Sequence, residues 1–248
     1  MRVLLPPSEA KRNGGDENRP LQLAGLSHPD LGAVRRTVLE ATTALAGDPV
    51  AMSAALKLGA SLQFEIVRNL ALNSSPTIAA IERYTGVLFD ALDSPSLDAP
   101  ARRFAGSHVL IHSALFGLLK ADDPIPAYRL SHDSKLPGLV LKKLWREPVS
   151  AQLSAGAGVI LDLRSETYGQ LGPAPVRAGS VFVRVASESA EGRRRALSHF
   201  NKSAKGTFVR ALCLAGIDHP TIDSVLSWAG GNGFRLDRGA PGQLDLIV

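Results

Sequence analysis

Apolar residues fall along this chain in short unbroken runs and in longer helical rhythms, and the alternation of the two predicts its elements. Arg2–Leu5 reads as a short buried strand, stopped by Pro6-Pro7 because proline cannot donate to a ladder. The following SEAKRNGGDENRP is polar and glycine-containing and predicts a mobile loop. Helical patterns cover 30–46, 51–58 and 61–72; 76–84 suits a helix or a strand, and 86–92 is helical again. The stretch 93–101, DSPSLDAPA, predicts a connecting loop. HVLIHS (108–113) and GVILDL (158–163) predict core strands, and SVFVRVAS (180–187) alternates as a half-buried strand does. An amphipathic helix over 139–153 is expected to break near Pro148. Helices over 198–212 and 221–228 follow, then a final strand in LDLIV. Strands interspersed with helices imply an α/β fold of mixed α+β type, a central mixed sheet surrounded by helices, in one domain spanning 1–248.

The helix over 198–212 carries the most information. At about 100° per residue it aligns Leu197, Phe200, Ala204, Phe208, Ala211 and Ala215 on one stripe. Arg195, Lys202, Lys205 and Arg210 lie opposite, with Val209 and Cys213 between them, so both faces should be partly packed. Half-buried cations need anions, supplied by carboxylates of the chain or by phosphates of a ligand. Gly206 costs a helix about 1 kcal/mol relative to alanine, which points to something approaching the backbone closely. A solvated cationic face is the competing reading.

Composition changes this picture little. The chain has 248 residues, 45% hydrophobic and 21% charged, which suits a soluble globular protein with a real core. A net charge of +5 leans mildly toward a polyanionic partner. The single cysteine, Cys213, excludes an internal disulfide and a cysteine-rich metal cluster; it sits in an apolar stretch and reads as an inert thiol, at home in a reducing cytoplasm. The apolar run before Pro6 is too short for a signal-peptide core or a membrane span. No GxGxxG, GxxxxGK[ST] or GxSxG loop occurs, which argues against a standard nucleotide enzyme or serine hydrolase.

Other motifs carry paired readings. His108 and His112, about 13 Å apart on one strand face, are too far apart for one metal and read as packing or surface residues. Ser8 and Lys11 have Ser-x-x-Lys spacing but lie in a loop, where Glu9 and Lys11 are as readily solvated. In LFGLLKADDPIPAYRL (115–130), prolines would present Tyr128 and Arg129 in one orientation. That arrangement suits phosphate capture with stacking; equally, Tyr128 packs on the core and Arg129 pairs with Asp122 or Asp123. DLRSETY (162–168) leaves a buried strand at its carboxyl end, where mixed α/β proteins bind ligands, while Ser165 or Glu166 also suits a cap.

Together these segments resemble the YaaA family of peroxide-stress proteins. VLLPPSEAK is similar to the family's N-terminal strand with its Pro-Ser/Ala-Lys motif. SALFGLLKADDPIPAYRL resembles Ser-Gly-Leu-Tyr-Gly-x-Leu-(Arg/Lys)-Pro running into Tyr-Arg-Leu. LDLRSETY corresponds to Asn-Leu-Ala-Ser-x-Glu-Tyr, and NKSAKGTFVR to (Lys)-x-Ala-(Arg/Lys)-Gly-x-x-x-Arg. The match runs from Met1 to about Phe234 and carries to Lys11, Gly117, Lys120, Tyr128, Arg129, Ser165, Tyr168, Lys202, Lys205, Gly206 and Arg210. Asp162 stands where the family has Asn, Arg164 where it has Ala, Thr167 where it has Glu, and Ala121 where it has Pro. The resemblance implies a mixed sheet within helices, a basic cleft and a helix-hairpin-helix-like element. It also implies DNA binding, protection from hydrogen peroxide and an effect on free iron.

The resulting expectation is a cytoplasmic protein of the hydrogen peroxide response that binds duplex or distorted DNA and limits iron-dependent damage. Lys11, Lys120, Arg129, Lys202, Lys205 and Arg210 would meet phosphates, with Gly117, Tyr128, Ser165, Tyr168 and Gly206 in support. No metal or cofactor and no membrane is expected; a monomer is compatible, and protein partners are left open. The alternative is an enzyme acting on a nucleotide or nucleic acid in the same cleft, with Lys202 or Lys205 as base or nucleophile, Tyr128 as acid and Arg129 as phosphate anchor. A structural or partner-binding module would instead fill the cleft with the protein's own carboxylates.

Overall fold

The computed structural model describes residues 1–188, 194–196 and 200–248. In chain order the elements are β1 (Arg2–Leu5), β2 (Asp16–Pro20), α1 (Gly32–Ala46), α2 (Pro49–Leu56), α3 (Phe64–Leu70), β3 (Pro76–Ala79), α4 (Ala80–Arg83) and α5 (Val87–Leu92). There follow α6 (Ala99–His108), β4 (Val109–Ser113), β5 (Gly117–Lys120), β6 (Pro124–Ile125), α7 (Leu141–Ser154), β7 (Ile160–Asp162) and α8 (Glu166–Gly169). The chain closes with β8 (Ser180–Glu188), β9 (Arg194–Ala196), α9 (Phe200–Ala215), α10 (Ile222–Gly231), β10 (Arg235–Arg238) and β11 (Gln243–Ile247).

The main sheet runs β10-β11-β8-β7-β1-β4-β5, with β9 paired to β8. Strands β4, β1, β7, β8 and β11 are parallel; β5, β9 and β10 are antiparallel. Strand β1 lies inside the sheet between β7 and β4, where Val3, Leu4 and Leu5 are apolar without alternation, as a strand covered on both faces requires. Each such side chain contributes about 1.5–3 kcal/mol by leaving water. A small sheet, β2-β3-β6, stands apart. Helices α5, α6 and α9 pack together, with α9 on β8; α7 lies against β5 and α1. No single helix among the described residues is long and apolar enough to cross a membrane.

Several elements depart from the expectations. The loop after β1 is not free: it forms β2, and Lys11 is buried in an antiparallel bridge with Tyr84. Segment 76–84 divides into β3 and α4. The expected loop at 93–101 holds a 3-10 turn and the start of α6, whose N-cap Asp98 accepts from the Ala101 amide at 2.9 Å. His108 ends α6 rather than opening β4. Helix α7 runs through Pro148 without a break. Arg195, placed on the cationic helix by its spacing, belongs to β9; Leu197 and Ser198 lie outside the described residues. Gly117 serves packing: it sits at φ +66°, and a Cβ there would come within 2.6 Å of the Trp145 ring, which donates to Ala114 O at 2.8 Å.

Candidate functional site

A cleft of about 640 Å³ opens at the carboxyl ends of β1 and β7. One wall is the Pro6–Ala10 segment, where the prolines stop β1. A second is 85–89, leading into α5; a third is Leu163, Ser165 and Tyr168, leaving β7. Leu130, Ser131 and His132 close one side, and Asn201, Lys202 and Lys205 from α9 close the other. His132 stands edge-on to Tyr168 with ring centres 5.2 Å apart.

Two features place the lysines. Gly206 seats α9 against α5, because a Cβ there would lie 2.2 Å from Leu88 O and 2.8 Å from Ala91 Cβ. The close approach that its cost foretold is therefore a helix–helix contact. Lys205 then reaches the strand ends: its Nζ donates to Leu163 O at 2.9 Å and sits 5.4 Å from the Phe182 ring centre. Burial lowers its pKa from 10.5 to about 8, with Asp162 acting in the other direction. Lys202 is exposed on the cleft lining and makes no hydrogen bond or ion pair among the described residues. The packing expected around Val209 and Cys213 is found: both are fully buried, and burial pushes the Cys213 thiol up to about 12.

Beneath the Pro6–Ala10 wall lies a second group of polar side chains. Lys11 Nζ donates to Ser8 O at 2.9 Å and Glu9 O at 3.2 Å, and lies 4.0 Å from the Tyr128 ring centre. Burial is the main cause that brings its pKa from 10.5 to about 7; Glu65 opposes it and Arg129 reinforces it. Tyr128 is fully buried, with its hydroxyl 2.7 Å from those of Tyr84 and Ser113. Ser113 Oγ also accepts from the Leu115 and Phe116 amides. Burial raises the Tyr84 and Tyr128 pKa values well above their ordinary range. The core reading of Tyr128 thus describes the structure, whereas Arg129 pairs with Glu9 instead of Asp122 or Asp123. Asp122 meets Arg102, and Asp123 accepts from Ser27 and the Lys120 amide.

At the end of β7 two of the four sequence departures, Asp162 and Arg164, become one feature. Arg164 is fully buried and grips Asp162 with two bonds, Nε to Oδ1 at 2.8 Å and Nη2 to Oδ2 at 2.6 Å. It also donates to Gly172 O at 2.9 Å and to His112 Nδ1 at 2.8 Å. An imidazole that accepts at Nδ1 is neutral with its hydrogen on Nε2; burial first and Arg164 second hold His112 well below its ordinary pKa. Ser165 caps α8 by accepting from the Tyr168 amide at 3.3 Å, and its Oγ lies 3.0 Å from Thr167 Oγ1.

The six cations expected to converge do not all meet. Lys202 and Lys205 line the cleft, Lys11 lies under its wall, and Arg129 is tied to Glu9, itself a lining residue. Lys120 stands beside Leu110, toward the amino end of β4 and away from the cleft. Arg210 donates to Leu92 O at 3.0 Å and Asp93 O at 2.8 Å, satisfying carbonyls at the end of α5. Sequence reasoning singled out Ser8, Glu9 and Lys11 without seeing 6–10 as a wall of the cleft, and it missed the 85–89 wall, His132, Asn201 and Ser113. The strand-end rule applied to β1 would have found the 6–10 wall. Among the described residues no three His, Cys, Asp or Glu side chains gather to hold a metal ion.

Fold and cleft define a mixed α/β protein whose candidate ligand site lies at the carboxyl ends of central parallel strands. Residues 1–238 match the family described as Peroxide stress protein YaaA. A UPF0246 protein of Corynebacterium efficiens is 40% identical over 258 residues, covering 100% of both chains. One of Streptomyces coelicolor is 42% identical over 260 residues, covering 100% of this chain and 98% of its own. A more distant one, from Cereibacter sphaeroides, is 28% identical over 64% of this chain and 65% of its own. The chain belongs to the peroxide stress protein YaaA (UPF0246) family.

Proposed function

We propose that this member of the peroxide stress family is a cytoplasmic DNA-binding protein that takes duplex or distorted DNA at the cleft and limits iron-dependent damage by occupying it. The observation that carries this reading is the pair Lys202 and Lys205, one turn apart on α9, facing the cleft with no carboxylate partner among the described residues. The aromatic pair His132 and Tyr168 beside them offers faces for bases or sugars. The helix-hairpin-helix-like element that the resemblance implies would be formed by α9 and α10, consecutive helices joined across 216–221 with Gly216 at φ +63°. Lys202→Glu tests the reading, since Lys202 is exposed and has no partner among the described residues. Fluorescence anisotropy with labelled duplex and branched DNA should show affinity reduced at least tenfold at low salt; unchanged binding contradicts the reading.

A second reading, an enzyme acting on a nucleotide or nucleic acid, is favoured by one observation. Lys205 lines the cleft, and burial brings its pKa to about 8, so a neutral amine is accessible near neutral pH. Tyr128 is unsuited to the acid role, being fully buried and bonded to Tyr84 and Ser113. Arg129, paired with Glu9, is a weaker phosphate anchor than a free guanidinium. Lys205→Arg separates the readings: retained DNA affinity with loss of any turnover supports chemistry at the amine.

A further inference from the structure

A larger cavity, of about 1120 Å³, lies on the other side of the segment that leaves β7. Asp162, Arg164 and Glu166 line it, whereas Leu163, Ser165 and Tyr168 line the cleft. Residues adjacent in sequence therefore open onto different cavities, and 162–170 is the wall between them. Four guanidinium groups, Arg146, Arg164, Arg177 and Arg238, face two carboxylates, Asp162 and Glu166. Arg164 and Asp162 neutralise each other, and Arg238 holds Asp223 in an exposed pair of little worth. Arg146 and Arg177 have no carboxylate partner among the described residues.

Arg177 is nonetheless fixed in place. Its Nη2 donates to Gly156 O at 3.2 Å and Gly158 O at 2.6 Å. Arg2 Nη2 donates to the same Gly156 O at 3.0 Å, so two like charges meet at one carbonyl. Burial, and then Arg177, lowers the Arg2 pKa. Arg146 is exposed, and its hydrogen bond among the described residues is a 3.4 Å contact to Gln170 O. Against these two guanidinium groups Glu166 is the one lining carboxylate left, so the cavity keeps a net positive charge that an anion stabilises, and guanidinium binds phosphate bidentately.

We propose that Arg146 and Arg177 form a second phosphate site in this cavity, which holds the backbone of the same nucleic-acid strand that enters the cleft across the 162–170 wall. The proposal rests on the DNA-binding reading for its ligand. A strand carries a charge about every 3.4 Å of its axis, so one long enough to cross the wall presents phosphates to both sides. A short fragment fills the cleft alone.

The test uses the full chain with single-stranded oligonucleotides of about 4 and about 20 nucleotides and with inorganic phosphate. Arg146→Glu and Arg177→Ala should each weaken the long oligonucleotide at least fivefold and reduce its salt slope by about 0.7 per phosphate lost. The short one should be unaffected, while Lys202→Glu weakens both. Arg146→Glu keeps the test independent of folding, because the Arg146 side chain is exposed. If both arginine variants bind the long oligonucleotide as the parent does while Lys202→Glu weakens it, the second site is refuted and the cleft reading stands. If the arginine variants weaken it and Lys202→Glu does not, the second site stands and the cleft reading fails. Loss of inorganic phosphate or short-oligonucleotide binding in the arginine variants would show a free-phosphate site and overturn the strand-crossing proposal.

Discussion

Lys11 and Lys205 are lysines made unlike lysines by burial, and the consequence is a measurable pH dependence. Lys11 falls from 10.5 to about 7 in the folded protein. Between those values the unfolded chain holds the proton and the folded one does not, so stability contributed by this group rises with pH. The slope is at most about 1.4 kcal/mol per pH unit. Urea unfolding of the parent and of Lys11→Met, compared at pH 7 and pH 9, should show the parent gaining relative to the variant at the higher pH. A difference that stays constant would mean that Lys11 keeps its ordinary pKa. At this scale the sequence was a partial guide. The spacing of Lys202 and Lys205 on a helix placed them correctly. Lys11 was expected to meet phosphate, or else water, and no local pattern says that Tyr84 will bridge it and Tyr128 cover it.

Among the elements, α9 and the end of β7 set the geometry of the cleft. Gly206→Ala should destabilise the protein by roughly 1–3 kcal/mol despite alanine's better helix propensity, because its Cβ meets the Leu88 carbonyl. A raised urea midpoint would show that α5 and α9 are not seated as described. Asp162→Asn alone leaves Arg164 buried and uncompensated, at a cost of about 3–5 kcal/mol. The pair Asp162→Asn with Arg164→Ala should recover much of that, giving a coupling energy in a double-mutant cycle well outside error. Additive costs would contradict the pairing. In sequence these positions looked like independent departures from a family pattern. They are side by side in space because positions two apart leave a strand end in the same direction. Strands β1, β4, β7, β8 and β11 were legible as apolar or alternating runs. β3, β5, β6 and β10 are as short as β1 and β7, but their Gly, Pro, Thr or charged residues break the apolar run that reveals those two, and they depend on their partners. Helix α6 hid behind a proline-rich stretch whose Asp98 cap and Pro100 were helix-start signals.

For the whole molecule, the central claim is that a parallel-strand core presents cations from α9 to a phosphate ligand at the strand ends. The fold class was legible because alternating strands and helices leave few ways to cover a sheet. Convergence of six cations was not, because sequence gives charge without direction. Lys120 points along the far end of a hairpin, Arg210 caps α5, and Arg129 finds Glu9. What remains is a smaller, sharper set. The most direct measurement is the salt dependence of duplex DNA affinity for the parent and for Lys202→Glu. Each phosphate contacted contributes about −0.9 to the slope of log K against log salt. A steep parent slope that becomes shallower by about one contact in Lys202→Glu is the expected result. A parent affinity that stays flat across a tenfold salt range, or a slope identical in the two proteins, would contradict the account.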